Sequence, residues 1–500
     1  MSIAFGLPAA AQAQNTGDIT NSAVTVHNGG FGVVRETFDL NVSSGVTPVS
    51  FTNVAAHLEP NSVILRDVSG RRPLQILEQN YRNDPISQPL LLSLFEGETI
   101  DFLVHRNDGE QVTVKGKIIR SGYVPHQAAW QQYGQAYYQR QVALQSYGAG
   151  QPIIEVDGQL RFSMPGQPIF PRLMDDTILK PTLHWLLETD RPGQAAAEIT
   201  YLTGGMRWEA DYNLVAPEDS DEIEIAGWVT IDNNSGRTFE NASLKLMAGD
   251  VSKLQPAVYG AANYAADEMA ARSLVAPVSE KSFDEYHLYT IARPTTLRDR
   301  ETKQIEFMRA EGVKAERIYV YDGAFIDPNR YRGWNIESIR QDRGYGTVAN
   351  PKVWVMREFE NSEDNNLGMP LPKGRARFYR QDGRDLAFVG ENMIDHTPRD
   401  ETVRVYTGNA FDLVGEREQT DYRIDNSADW LDESFRIKLR NHKEEAVEVI
   451  VVEHLYRWVN WEIRNATMQF EKTNSRTIEF RVPLEPGEEK VLTYTAHYTW

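Results

Sequence analysis

Chemistry in this chain has to be sought first where a base and its orienting acid stand close enough in sequence to meet. Asp395-His396, in "MIDHTP", has the right residue types, but neighbours on a strand point to opposite faces and rarely meet. Glu285 and His287, in "FDEYHLY", stand two apart, which puts both on one strand face as two metal ligands. Zinc takes three or four donors, so the reading is a polar, solvent-facing pair. Glu453-His454 interrupts "VIVVEHLYRW" and marks where that strand is expected to leave its core. The loop "ENSEDNNLGMP" gathers Glu360, Glu363, Asp364 and Asn366. These are hard oxygen donors of the kind calcium takes, although the spacing of an EF-hand is absent. Calcium is a better prospect than zinc here, but the loop reads as ordinary hairpin chemistry; no cofactor is expected, and no catalytic, cofactor-binding or metal-ligating residue is assigned.

Several reaction classes leave no trace. There is no Gly-x-Ser-x-Gly elbow, phosphate-binding loop, His-Glu-x-x-His or dinucleotide fingerprint. The absence of Cys removes disulfides, thiolate metal sites and Cys nucleophiles together. Paired carboxylates for glycoside hydrolysis are defined by spatial separation, and 71 acidic residues offer too many pairs to choose from. The formal charge of −19, from 52 Lys+Arg against 71 Asp+Glu, works against nucleic acid, whose binding needs clustered basic groups to release counterions.

The elements that must position any site are strands. Alternation with period two, bounded by Gly, Asn and Asp, recurs along the chain while helical periodicity is scarce. At 500 residues several domains are expected. Residues 1–13 read as the remnant of an export signal, with the small-x-small run Ala11-Gln12-Ala13 leaving Gln14 first after cleavage. Residues 14–85 read as an N-terminal β-sandwich containing a hairpin turned at Asn28-Gly29-Gly30. A small SH3-like β-barrel over 86–176 carries a helical insertion at 126–148. Immunoglobulin-like β-sandwiches occupy 177–290, with an Ala-rich linker, and 428–500. Between them lies a β domain, 291–427, with a long loop at 324–350. No run of about 18 apolar residues spans a membrane. The fold class is thus mostly β, tandem β-sandwiches with one small barrel and one short helix.

The corner "DNNSG", residues 232–236, reads as a turn and not a site, since Asn and Gly tolerate left-handed backbone angles. Ile225, Trp228 and Ile231 lead into it, and Leu244, Leu246 and Met247 follow. A comparable layout returns where Phe435, Ile437 and Leu439 lead to Asn441. The final strand places Leu492, Tyr494, Ala496, Tyr498 and Trp500 on one face as a closing sandwich strand. An outer-membrane barrel strand is disfavoured, because such a barrel needs many strands with a lipid-facing band.

The strings "YLTGGMRWEADYNL", "GWVTIDNNSGRTFENASLKLMAGDV", "FENSEDNNLGMPLPKGRARFY", "IDHTP" and "LRNHKEEAVEVIVVEHL" together resemble the bacterial domain-of-unknown-function family 4139, whose relatives include the mucoidy-inhibitor A-like proteins. The resemblance implies an exported, β-rich protein without an agreed activity, so no functional residue is carried over. Phe239 stands where relatives often carry Tyr, and Asn392 where Asp is common. The expectation is a non-enzymatic binding, structural or assembly scaffold of the cell envelope, periplasmic or at the cell surface. Its partner would be a protein or glycan, or further copies of itself as a homo-oligomer. Candidate contact residues are Trp130, Tyr133, Tyr137 and Tyr147, near one helical face, and Trp334 in the long loop. The alternative is an envelope hydrolase using carboxylates or a carboxylate-bound metal.

Overall fold

Two turns show how literally this chain follows its local signals. Strand Ile19–His27 pairs antiparallel with Phe31–Val42, and His27 lies opposite Phe31 across the expected Asn-Gly-Gly turn. Strand Ile153–Val156 pairs with Gln159–Arg161 through Asp157-Gly158, with φ of +53° and +77°. A two-residue turn with both angles positive matches the right-handed twist of its strands, which is why Asp-Gly makes it cheaply. The computed structural model describes residues 14–83, 86–105, 109–123, 151–173, 177–218, 220–249, 278–283 and 286–500. The expected export-signal remnant (1–13), Glu285, and the helical insertion with Trp130, Tyr133, Tyr137 and Tyr147 lie outside the described residues.

The described chain is mostly β, with sandwich-like sheets and the two helices Gln88–Leu94 and Ile336–Gln341. It divides into two units: Met1–Trp208 with Ile231–Ala265 and Leu288–Lys303, and Glu209–Thr230 with Ala266–His287 and Gln304–Trp500. In the first unit, Phe239–Ala248, Ile19–His27, Phe31–Val42, Gly193–Gly204 and Ile64–Asp67 are neighbours in one sheet. Gly45–Thr52, Thr182–Thr189 and Gln75–Arg82 are neighbours in another. Phe38, Phe51 and Trp185 stack between them, with ring centroids 4.7 and 5.9 Å apart.

The expected SH3-like barrel is an open five-stranded sheet. Its order runs Gln159–Arg161, Ile153–Val156, Gln111–Arg120, Thr99–His105, Gln167–Ile169. The two edge strands are three residues long and mostly solvent-facing, too short to pair with each other and close a barrel. Helix Gln88–Leu94 covers this sheet instead, burying Leu92 against Phe95, Phe102 and Ile118. Its start was written in the sequence: Ser87 caps the amide of Leu90 and a Pro occupies the first turn.

In the second unit nine strands form one sheet, in the order Trp461–Arg464, Glu489–Thr499, Trp430–Asn441, Thr402–Asp425, Lys352–Glu360, Glu316–Asp322, Val447–His454, Thr477–Leu484, Glu471–Asn474. Strands from either side of residue 427 thus share one sheet. The sheet curls so that its halves face each other, with Phe480 of one half 5.6 Å from Tyr494 of the other. Leu492, Tyr494, Ala496 and Tyr498 are buried in the resulting core as a closing strand should be.

The "DNNSG" corner is structural. Asn233 is buried, and its amide nitrogen donates to the carbonyls of Arg237, Leu297 and Arg298 at 2.8–3.2 Å. Its oxygen accepts from the Ser235 amide and hydroxyl. Asn441 repeats the device: its nitrogen donates to the carbonyls of Glu445, Leu484 and Glu485, and its oxygen accepts from the Lys443 amide. One planar amide thereby satisfies backbone groups that a sandwich end would leave orphaned. Trp228 alternates onto the face opposite Ile225 and Ile231, where it is half-buried, because residues at even separation share a face and Trp228 stands at odd separation from both.

Replacing Asn233 or Asn441 by Ala strands several buried carbonyls. Each change is expected to lower stability by about 1–3 kcal/mol in urea unfolding. The exposed neighbour Asn234 changed to Ala should stay within about 0.5 kcal/mol of the parent.

Candidate functional site

Alternation drives three charged side chains into the second unit's core. Glu433 shares the inward register of Phe435, Ile437 and Leu439, and Glu453 that of Val449 and Val451. Arg417 follows the buried Leu413 at even spacing. Glu453 is 0% exposed, so the expectation that it marks the strand's exit from the core is overturned: the strand carries its charge inside. A buried charge of this kind persists only if it is paired and hydrogen-bonded.

Both carboxylates are answered in full. The Arg417 guanidinium donates to Glu453 through Nε at 2.9 and 3.1 Å and Nη2 at 2.8 Å, and lies 3.8 Å over the Phe435 ring. The Tyr494 hydroxyl donates to the same carboxylate. Arg457 donates through Nε to Glu433 at 3.1 Å, and Tyr498 donates to the other oxygen at 3.1 Å. Burial, reinforced by the adjacent carboxylates, holds both tyrosine hydroxyls well above their ordinary pKa. Burial opposes the charge on Arg417, but Glu453, Tyr494 and Glu433 together outweigh it and raise that pKa. Beside them Tyr321 packs so tightly that a Cβ on Gly415 would lie 2.1 Å from its ring, which is why position 415 is glycine.

The unused donors of both guanidiniums reach the long loop. Arg457 donates to the carbonyls of Ile339, Asp342 and Tyr345, and Arg417 to that of Gly346 at 2.8 Å. The Tyr422 hydroxyl donates to the carbonyl of Arg340. The Arg340 guanidinium itself sits 4.0 Å from the Trp458 ring and 4.4 Å from the Trp500 ring. Within the loop Asn335 caps helix Ile336–Gln341 by accepting from the Ser338 amide. At the neck, Phe325 and Asn350 donate their amides to the carbonyls of Val348 and Gly323. A segment that composition alone would leave mobile is therefore fixed from below at five carbonyls.

Among the polar residues the loop turns outward stand four large apolar ones. Phe325, Trp334, Ile336 and Val348 are 54%, 37%, 36% and 46% exposed, so Trp334 lies on the surface where a contact residue must be. From Trp334 a run of rings leads inward through Tyr331, Tyr345 and Tyr456 to His454, with successive centroids 4.8–6.2 Å apart. His454 bonds Asp322 at 3.0 Å. That bond raises its pKa against the opposing effect of burial.

The Asp395-His396 pairing weighed in the sequence does not assemble into a catalytic dyad. His396 Nδ1 accepts from the Lys373 amide, while Asp395 reaches the Lys373 ammonium at 3.4 Å. Among the described residues no three His, Asp or Glu side chains converge as metal donors, and Glu360, Glu363, Asp364 and Asn366 form no such set. Sequence reasoning passed over Arg417, Glu433 and Arg457, although parity on their strands marks the first two as inward.

No helix among the described residues is long and apolar enough to cross a membrane. The family described as Domain of unknown function (DUF4139) matches residues 197–500; this is more than half of the chain, which belongs to that family. The whole of the second unit, with its pinned loop, falls inside the match. No curated protein matches the chain.

Changing Arg457 to Met leaves Glu433 charged and buried, and is expected to cost about 3–5 kcal/mol in urea unfolding. Adding Glu433→Leu should recover much of that loss, because an apolar pair replaces a buried ion pair at little cost. In both variants the carbonyls of Ile339, Asp342 and Tyr345 lack their donor. Trypsin should then cut at the exposed Arg330, Arg332 and Arg343 while the parent resists.

Proposed function

We propose that this member of the DUF4139 family is a non-enzymatic binding protein of the bacterial cell envelope, and that the loop 323–350 is its contact surface for a protein or glycan partner. One observation carries the reading: exposed apolar and aromatic side chains are presented by a loop whose backbone is anchored through buried guanidiniums. Exposed apolar clusters are uncommon on surfaces that meet only water. A loop already ordered in the free protein avoids the entropy a flexible one loses on association. Aromatic anchors on such a loop are also the residue type that dominates binding energies.

The runner-up, an envelope hydrolase using carboxylates, has less in its favour. Glu433 and Glu453 are inward carboxylates of the second unit beside aromatic rings. Each spends its oxygens on an arginine and a tyrosine, which leaves neither as a base for water. Placement outside the inner membrane is supported by the Ala11-Gln12-Ala13 pattern and by the exported character of the family it resembles.

The test is photo-cross-linking in the native cells, with a photoreactive side chain at Phe325 or Val348. A discrete adduct is expected, lost at least tenfold when Trp334 is changed to Ala while the melting temperature stays put. Cross-linking that is absent, or indifferent to Trp334, contradicts the assignment of this surface. Turnover in a broad panel of glycan, ester and peptide substrates contradicts the non-enzymatic reading.

A further inference from the structure

Five arginines among the described residues are almost wholly buried: Arg237, Arg340, Arg357, Arg417 and Arg457. Arg237 holds Glu36, Arg357 holds Asp221, Arg417 holds Glu453 and Arg457 holds Glu433. Arg340, in helix Ile336–Gln341 of the pinned loop, holds no carboxylate. It is 8% exposed, and its guanidinium makes no hydrogen bond or ion pair with a described residue. Burial lowers its pKa, while Glu337 and Asp429 favour the charge only from a distance. A buried charge without a partner is costly, so an exception of this kind calls for an explanation.

Its neighbours hold the fork in place without answering it. The guanidinium carbon lies 4.0 Å from the Trp458 ring centroid and 4.4 Å from that of Trp500. Contact with the two indoles offsets part of the desolvation, but guanidinium N–H bonds lie in the plane of the group and need acceptors there. Nε is sealed from water and unpaired, as is the Trp458 indole nitrogen. The two terminal nitrogens also lack an acceptor and are not sealed, so the fork opens at its tip. One helical turn earlier on the same side stands Ile336, 36% exposed. A second observation is independent of Arg340's burial. Residues 323–350 carry four Arg against three Asp and Glu, in a chain of 52 Lys+Arg and 71 Asp+Glu. Arg330, Arg332 and Arg343 are exposed and join no carboxylate among the described residues.

Resting on the reading of this loop as a contact surface, we propose that its partner is a protein segment presenting an Asp or Glu carboxylate flanked by apolar side chains, and that Arg340 receives the carboxylate end-on. The two terminal nitrogens match the two oxygens of a carboxylate in a planar, bidentate pair. The fork is already stripped of most of its water and held between two indoles, so little ordering is left for the partner to impose. Arg330, Arg332 and Arg343 give the loop a local charge opposite to that of the chain, which draws an acidic segment to it. The apolar neighbours argue for a peptide over a sugar. Trp334 would serve either, whereas the aliphatic Ile336 and Val348 gain by covering apolar side chains.

Selection of a displayed library of short random peptides on the full chain, followed by fluorescence anisotropy, tests the assignment. The selected peptides should carry Asp or Glu beside apolar residues. Against the parent, the best of them should bind about tenfold more tightly than its Asn or Gln counterpart. Against Arg340→Met, which keeps a long side chain between the indoles, the two peptides should bind alike. Trp334→Ala should weaken both to the same degree. Melting temperature and trypsin resistance check that Arg340→Met keeps its loop. If it does not, Arg340→Lys takes its place, keeping the charge without the fork, and the acidic preference should shrink severalfold. A selection without acidic residues, or an acidic preference that either variant leaves intact, overturns this inference while the loop stands as a contact surface. Binding indifferent to Trp334 overturns the reading of the loop itself. A selection that yields no binder contradicts a peptide partner, as does tighter, Arg340-dependent binding of polygalacturonate, which would hand the fork to an acidic glycan.

Discussion

The guanidiniums of Arg417 and Arg457 lie where water does not reach, and the second unit is arranged so that the protein supplies what water would have given them. Side-chain exposures of 2% and 1% leave two charges whose desolvation costs several kcal/mol each unless carboxylates and further acceptors surround them. Glu453 and Glu433 supply the charge. Further N–H donors remain on both guanidiniums, and four loop carbonyls meet them. The loop is therefore a structural partner of the core: its backbone completes the coordination of two ions that the β-sheets alone cannot satisfy.

That dependence joins packing to function. A pair of this kind adds little net stability over well-packed apolar residues, so its value lies in specifying one arrangement. Here the arrangement specified is the course of residues 323–350, and with it the outward placing of Phe325, Trp334, Ile336 and Val348. The first unit uses the same residue types for a purely internal purpose. Arg237 holds Glu36 through two bonds of 2.6 and 2.7 Å and meets the Tyr201 hydroxyl at 3.1 Å. Burial pushes that hydroxyl's pKa up to about 12. No loop carbonyl enters this cluster among the bonds of Arg237, and its job ends with cohesion.

Much of the scaffold is legible in sequence, because period-two alternation and turn chemistry are local properties. The Asn-Gly-Gly and Asp-Gly turns, the inward stripe of the final strand and the Asn233 and Asn441 corners all follow from residues within a few positions of one another. What is not legible depends on distance in the chain. Glu453 reads as a strand end because its cation, Arg417, is 36 residues away, and nothing local says that a charge at an inward position has found a partner. Trp334 can be singled out as an aromatic in a long polar loop. The anchoring of its loop comes from Arg457, more than a hundred residues later. The five-stranded sheet that does not close fails for a third reason: strand count was readable, whereas closure depends on the length of two edge strands and on a seven-residue helix laid across the face.

Amide hydrogen exchange on the unmodified protein bears most directly on whether this loop is part of the folded core. The amides of Ile339, Asp342 and Tyr345 donate within the loop to Asn335, Ser338 and Asp342. If the guanidiniums hold the segment in place, these amides exchange only when the nine-stranded sheet opens, at rates that track those of strand Trp430–Asn441. Exchange at the speed of an unstructured chain, with the sheet still protected, would show that the loop floats free of its supposed anchors.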